Sequence, residues 1–129
     1  MKGVVFLCIH NSGRSQMAAG FMRHLGAGRV TVYSAGSEPA NAINPSAVAV
    51  MKEVGIDIAF AQPQLWTMEM LDAVDVVVTM GCGDACPFLP GKKYVDWPLE
   101  DPAGQGVVNV RPIRDEIKKL VEDLLAQMA

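Results

Sequence analysis

The sequence predicts an α/β domain built on a mostly parallel sheet. Three observations carry that prediction. Short apolar, β-branched runs suit strands buried on both faces, amphipathic stretches of helical period lie between them, and turn residues mark the junctions. With 129 residues, 50% hydrophobic and 19% charged, the chain has material for one core and is expected to form a single domain over 1–129.

The first run, Lys2 to Leu7, ends at the polar segment Cys8-Ile9-His10-Asn11-Ser12-Gly13-Arg14-Ser15. Met17, Ala18, Phe21, Met22 and Leu25 then fall on one helical stripe, with Gly26 as the expected C-terminal cap. Val30 to Ala35 reads as a second strand closed by Gly36, which completes a strand–loop–helix–strand unit. Asn44-Pro45 has the pattern of a cap and first residue of a helix that runs to Gly55. Thr67 is placed to cap a short helix carrying Met68, Leu71 and Val74, and Val76 to Met80 is a third buried strand. Tyr94-Val95 marks a short fourth strand. The last helix carries Val110, Ile113, Ile117, Leu120, Val121, Leu124, Leu125 and Met128 at helical spacing, with Pro112 expected in its first turn.

Eleven basic and 14 acidic side chains leave a formal charge of −3. That balance argues against a nucleic-acid or anionic-membrane partner, which would call for a basic stripe. No apolar run approaches the ~20 residues of a membrane span, and a cytoplasmic protein is expected. Cys8, Cys82 and Cys86 are the three cysteines. An odd number without a secretory signal points to thiol chemistry or metal binding rather than a disulfide framework. Zinc would need closer cysteine pairs and better-placed histidines than His10 or His24, so neither a metal nor a cofactor is expected. In parallel sheets ligands bind beyond the carboxyl ends of the strands. Cys8 follows the first strand and Cys82 the third, which places both at one edge.

The segment from Cys8 to Ser15 has the composition of an anion site. Amides of Ile9, His10, Asn11, Ser12, Gly13, Arg14 and Ser15 can converge at a helix N-terminus. Gly13 is expected to supply a positive φ, and Arg14 adds a planar fork suited to a tetrahedral oxyanion. The same field favours the thiolate of Cys8, with Ser12 and Ser15 as further donors. The alternative is a small apolar cysteine ending a strand before an ordinary helix start; the glycine, two serines and arginine in the loop weigh against it.

Cys8-x5-Arg14-Ser15 resembles the phosphate-binding loop of the low-molecular-weight protein tyrosine phosphatases. Its extension through Gln16-Met17-Ala18 is similar to the thioredoxin-coupled arsenate reductases built on that fold. The likeness recurs at Tyr33-Ser34-Ala35-Gly36, Asn44-Pro45, Val54-Gly55-Ile56-Asp57, Asp101-Pro102-Ala103-Gly104 and Arg114-Asp115-Glu116-Ile117. It implies a four-stranded parallel sheet flanked by helices and a monomer. On sequence alone Asp101 is a turn-forming residue before proline, with Asp84, Asp96 and Glu100 as rivals for a general acid; the resemblance selects Asp101.

Two features separate reductase from phosphatase. Alanine and glycine follow Asp101-Pro102 where the phosphatases usually carry tyrosine, and two further cysteines are present where a phosphatase needs one. The resemblance implies that Cys8 attacks arsenate, that Cys82 then resolves Cys8, and that Cys86 resolves Cys82, with thioredoxin removing the final disulfide. Phosphate or sulfate would act as analogues of arsenate. Buried or metal-binding thiols are the alternative for Cys82 and Cys86, disfavoured by the flanking Gly81, Gly83 and Pro87. Many thioredoxin-linked relatives carry a further cysteine at the position of Gly13, outside the relay. Ala19 replaces a glutamate that in some relatives helps to bind potassium. A related reductase group uses mycothiol with a glutaredoxin-like partner; three thiols favour thioredoxin. Phosphomonoester hydrolysis through a Cys8-phosphate is the second reading.

Overall fold

The computed structural model describes residues 2–81 and 90–128. Four strands, β1 (Lys2–Cys8), β2 (Val30–Gly36), β3 (Val76–Thr79) and β4 (Lys93–Asp96), form one sheet in the order β2-β1-β3-β4. Every neighbouring pair is parallel, with Val4 opposite Val32 on one side and Val76 on the other. Helices α1 (Arg14–Gly26), α2 (Pro45–Glu53), α3 (Met68–Asp72) and α4 (Val107–Met128) supply the covering layers. The expected parallel α/β architecture is therefore observed. Because all strands run one way, the segments after β1 and β3 leave the same edge of the sheet.

Strand parity decides where Cys8 points. Val4, Phe6 and Cys8 share a core with Met17, Ala18, Phe21 and Met22 of α1 and with the buried stripe of α4. Val5 and Leu7 face the opposite layer, against Leu71 of α3 and Val74. Phe6, Leu7, Met17 and Phe21 are almost wholly removed from water, each worth about 1.5–3 kcal/mol. Burial of Cys8 with the α1 layer puts its sulfur under the start of that helix.

Three local expectations are corrected. The left-handed residue after α1 is Ala27 (φ 47°) rather than Gly26, which is the last helical residue. Arg29 explains the tolerance: its side chain donates to the Gly26 and Leu25 carbonyls and ties down the helix end. Val74 lies beyond α3, which ends at Asp72. Pro112 sits inside α4, in the second turn, because the helix starts at Val107. The amide it lacks would have served the Val108 carbonyl, and Val108 is exposed, so water can replace the bond. Asn44 and Thr67 do cap α2 and α3 through their side-chain oxygens.

A charge cluster joins α2 to α4. Glu53 accepts from Arg111 Nε and Nη2 and from Arg114 Nη1, and Arg114 Nη1 also reaches the Val50 carbonyl at 2.8 Å. Hydrogen bonds from Arg111 and then Arg114 lower the Glu53 carboxyl from its ordinary 4.5 to about 2. A depressed carboxyl adds stability that is complete above its unfolded value and is lost as pH falls towards its folded one. Glu53→Gln should therefore lower the thermal midpoint by a constant amount above about pH 5, and the gap to wild type should close by about pH 2. Thermal melts of both proteins across that range check it.

Candidate functional site

The segment between β1 and α1 is stretched over the sheet edge with its carbonyls turned outward. Ser37, Glu38, Ala40 and Asn44 donate their backbone amides to the carbonyls of Cys8, Ile9, His10 and Ser12 at 2.8–3.3 Å. This leaves the loop's own N–H groups for the inner side. Helix α1 then begins without a side-chain cap: its N-cap is Gly13 and its first intrahelical bond runs from Met17 N to Gly13 O. Arg14, Ser15 and Gln16 of that first turn are buried. A buried, uncapped helix start concentrates unpaired amides and the positive end of the helix dipole, a setting that favours an anion.

Cys8 lies at the floor of this cup, 3% exposed. Its Sγ receives the Asn11 amide at 3.2 Å and lies 2.9 Å from Ser15 Oγ. Asn11 Nδ2 donates to that same hydroxyl at 2.7 Å, which leaves the Ser15 proton available to a Cys8 thiolate. Two donors on one sulfur are the arrangement that suits a thiolate. The expectation for Gly13 is corrected here. Its φ is −130°, and the left-handed residue of the loop is Asn11, at φ 50°. Glycine serves at position 13 because a Cβ would come within 2.7 Å of Pro102 Cγ.

Asp101 and Pro102 reach the cup from the segment after β4, whose Trp97 and Leu99 are buried in the same core as Cys8 and α1. Trp97, buried after β4, holds its ring 5.7 Å from that of Phe6, and its amide bonds to the Thr79 carbonyl. That anchor brings the following segment across the sheet edge to α1. Arg14 Nη1 donates to the Leu99 carbonyl at 3.3 Å, and Nη2 lies 3.8 Å from Asp101 Oδ2. Asp101 closes its own turn by accepting from Ala103 N. Cys8, Arg14 and Asp101 line one cleft, together with His10, Ser12, Gly13, Asn44 and Pro102. Of the rival acids, Asp96 accepts from Thr79 Oγ1, Glu100 is exposed outside the cleft lining, and Asp84 lies outside the described residues.

Asn44 does more than cap a helix. Its backbone amide holds the Ser12 carbonyl and its Nδ2 holds the Pro102 carbonyl at 3.2 Å, so one residue ties the loop to the Asp101 segment. Its capping role was readable from Asn-Pro; its role as a strut was not, because that depends on which loops meet. His10 is exposed and its Nδ1 donates to the Glu38 carbonyl, while His24 is an exposed residue of α1. Cys82 and Cys86 lie outside the described residues. Met80 bonds through its amide to the Leu7 carbonyl at 2.8 Å. Gly81 follows at φ +88°, where a Cβ would stand 2.5 Å from Arg14 Nη1. The chain thus passes directly against the arginine one residue before Cys82. Among the described residues there is no cluster of metal-ligating side chains and no helix long and apolar enough to cross a membrane.

A parallel α/β sheet with cysteine and arginine at the two ends of a strand-to-helix anion loop defines the class. Residues 3–129 match the low molecular weight phosphotyrosine protein phosphatases, and the chain belongs to that family. It is 42% identical over 132 residues to a glutaredoxin arsenate reductase of Synechocystis sp., with all of both chains covered. A solved arsenate reductase in the phosphate-binding state shares 41% identity at a TM-score of 0.89, again over the full length of both chains. The thioredoxin-dependent arsenate reductase of Corynebacterium glutamicum is 39% identical at a TM-score of 0.87; the match covers 98% of this chain and 61% of that one.

Gly81→Ala should displace the Arg14 guanidinium, since the added methyl meets Nη1 and the residue holds a positive φ. Phosphate affinity measured by calorimetry is expected to fall about tenfold, or ~1.4 kcal/mol.

Proposed function

We propose that this protein reduces arsenate to arsenite, with Cys8 as nucleophile and Cys82 and Cys86 as successive resolving thiols. The observation that carries the reading is the position of Arg14. It lines the cleft with Cys8 and Asp101 and also abuts Gly81, the residue before Cys82. An oxyanion site and the entry to a two-cysteine segment therefore share one arginine. The full-length likeness to proteins named as arsenate reductases supports the same reading.

In the proposed sequence the loop amides and Arg14 hold the arsenate oxygens while the Cys8 thiolate attacks arsenic. Asp101 gives its proton to the departing oxygen, which leaves as water. The Cys82 thiolate next attacks the Cys8 sulfur. The S–As electron pair passes to arsenic, arsenite departs, and a Cys8–Cys82 disulfide remains. Cys86 then attacks Cys82, which forms Cys82–Cys86 and returns Cys8 as a thiolate. Thioredoxin supplies the two electrons that reopen the last disulfide. The relatives name both thioredoxin and glutaredoxin, and the presence of three thiols favours the protein dithiol.

Phosphomonoester hydrolysis is the second reading, favoured by the family itself, since phosphate and arsenate share charge and shape. It would use Cys8, Arg14 and Asp101 and would be indifferent to Cys82.

A coupled assay following arsenate-dependent NADPH oxidation, with the thioredoxin and glutaredoxin systems in parallel, tests the proposal. Cys8→Ser should abolish reduction. Cys86→Ser should allow about one turnover and leave a Cys8–Cys82 bridge, visible by mass spectrometry of alkylated peptides. Absence of that bridge removes the relay. Brisk aryl phosphate turnover unaffected by Cys82→Ser would favour the phosphatase.

A further inference from the structure

Asn11 is the most constrained residue of the loop. It is completely buried, and its φ of 50° puts it in the left-handed region that residues with side chains seldom occupy. Five hydrogen bonds meet there. Two face the thiol: Asn11 N to Cys8 Sγ at 3.2 Å and Nδ2 to Ser15 Oγ at 2.7 Å. Three face away from it. Gln16 Nε2 donates to the Asn11 carbonyl and to Oδ1, each at 3.1 Å, and the Gln64 amide donates to Oδ1 at 2.9 Å.

We propose that Gln16 is a positioning residue for the Cys8 thiolate, locking Asn11 in the left-handed conformation that aims its amide at the sulfur. Gln16 is itself 2% exposed, and a buried amide that distant from water is costly unless its protons are used. Its Nε2 serves the two Asn11 oxygens and the Gln62 carbonyl at 3.3 Å. The second support is anchored independently. Gly36 N donates to the Gln64 carbonyl and Gln64 Nε2 to the Ser34 carbonyl, both at 2.9 Å, which straps the 62–64 segment to the end of β2. A chain of hydrogen bonds thus runs from the sheet through Gln64 to Asn11, and Gln16 closes the same residue from α1. Without the Gln16 donor, two buried Asn11 oxygens lose a partner. The peptide can then relax out of the left-handed region and carry its N–H away from the sulfur. The nucleophile loses charge stabilisation although no group touching substrate has changed.

The inference rests on Cys8 as the nucleophile of the reading above, but alkylation reads the thiol without arsenate, so the two can fail separately. In a Cys82→Ser/Cys86→Ser background Cys8 is the sole thiol. Its iodoacetamide rate is followed from about pH 5 to 10 with Gln16→Met, Asn11→Gly and both together. The charged or titratable groups sharing the cleft, His10 and Arg14 on the loop and α1 and Asp101 before α4, are kept in all four proteins. Gln16→Met should slow alkylation at pH 7 about tenfold, shift the profile to higher pH and leave the alkaline plateau unchanged. Glycine adopts this φ without strain, so in the Asn11→Gly background the same substitution should cost less than about twofold. An unmoved profile, or an equal loss in both backgrounds, overturns the proposal. Should Gln16→Met not fold by circular dichroism, Gln16→Glu keeps the length, replaces the donor by an acceptor, and carries the same two expectations.

Discussion

The bare N-terminus of α1 is the constraint from which the rest of the site follows. Gly13 brings no side chain to cap it, and Arg14, Ser15 and Gln16 of its first turn are buried, so the amides and the positive end of the helix dipole are directed into the protein. Such an arrangement favours a negative group in front of it. Strand parity puts the Cys8 sulfur there, on the α1 side of the sheet and 2.9 Å from Ser15 Oγ. The helix end and the buried sulfur answer one another electrostatically. An oxyanion with four oxygens fits the same field.

Holding that field open takes segments from across the sheet. The amides of residues 37–44 pull the loop carbonyls outward. The Phe6–Trp97 contact draws the Asp101 segment over the sheet edge, and the end of β3 passes against Arg14. Each element contributes by geometry that the parallel topology enforces, because all these segments leave the carboxyl edge of the strands. Arg14 is where they meet. Nη1 donates to the Leu99 carbonyl and Nη2 lies 3.8 Å from the Asp101 carboxyl group, so the buried fork is held towards the cleft and less rotational freedom remains to be lost when an anion binds.

Much of this was readable from residue order. Buried strands announced themselves as uninterrupted Val-rich runs, and Asn44-Pro45 and Thr67 marked helix starts through a chemistry that needs only near neighbours. The Cys8-to-Arg14 spacing flagged the loop for the same reason. What escaped was set by contacts between segments distant in sequence. The sense of Gly13 was missed because its need for a small residue comes from Pro102, 89 positions later. The left-handed conformation fell to Asn11 instead, paid for by Gln16 and Gln64, and no periodicity reveals that. Pro112 was placed too early because α4 begins at Val107, ahead of its first buried residue, Val110. Cys82 and Cys86 were legible as a chemical pair, and their part in the reaction stands as a proposal from composition and from the position of Gly81.

The central claim is that one cup holds both the thiolate and the oxyanion. Protection of Cys8 by inorganic phosphate tests it most directly, with the alkylation rate of Cys8 measured by mass spectrometry as phosphate is raised at constant pH and ionic strength. If the claim holds, phosphate slows alkylation saturably, and Arg14→Lys weakens the protection because a point charge cannot replace the fork. A rate that ignores phosphate while the protein stays folded would mean that the anion and the sulfur do not share a site.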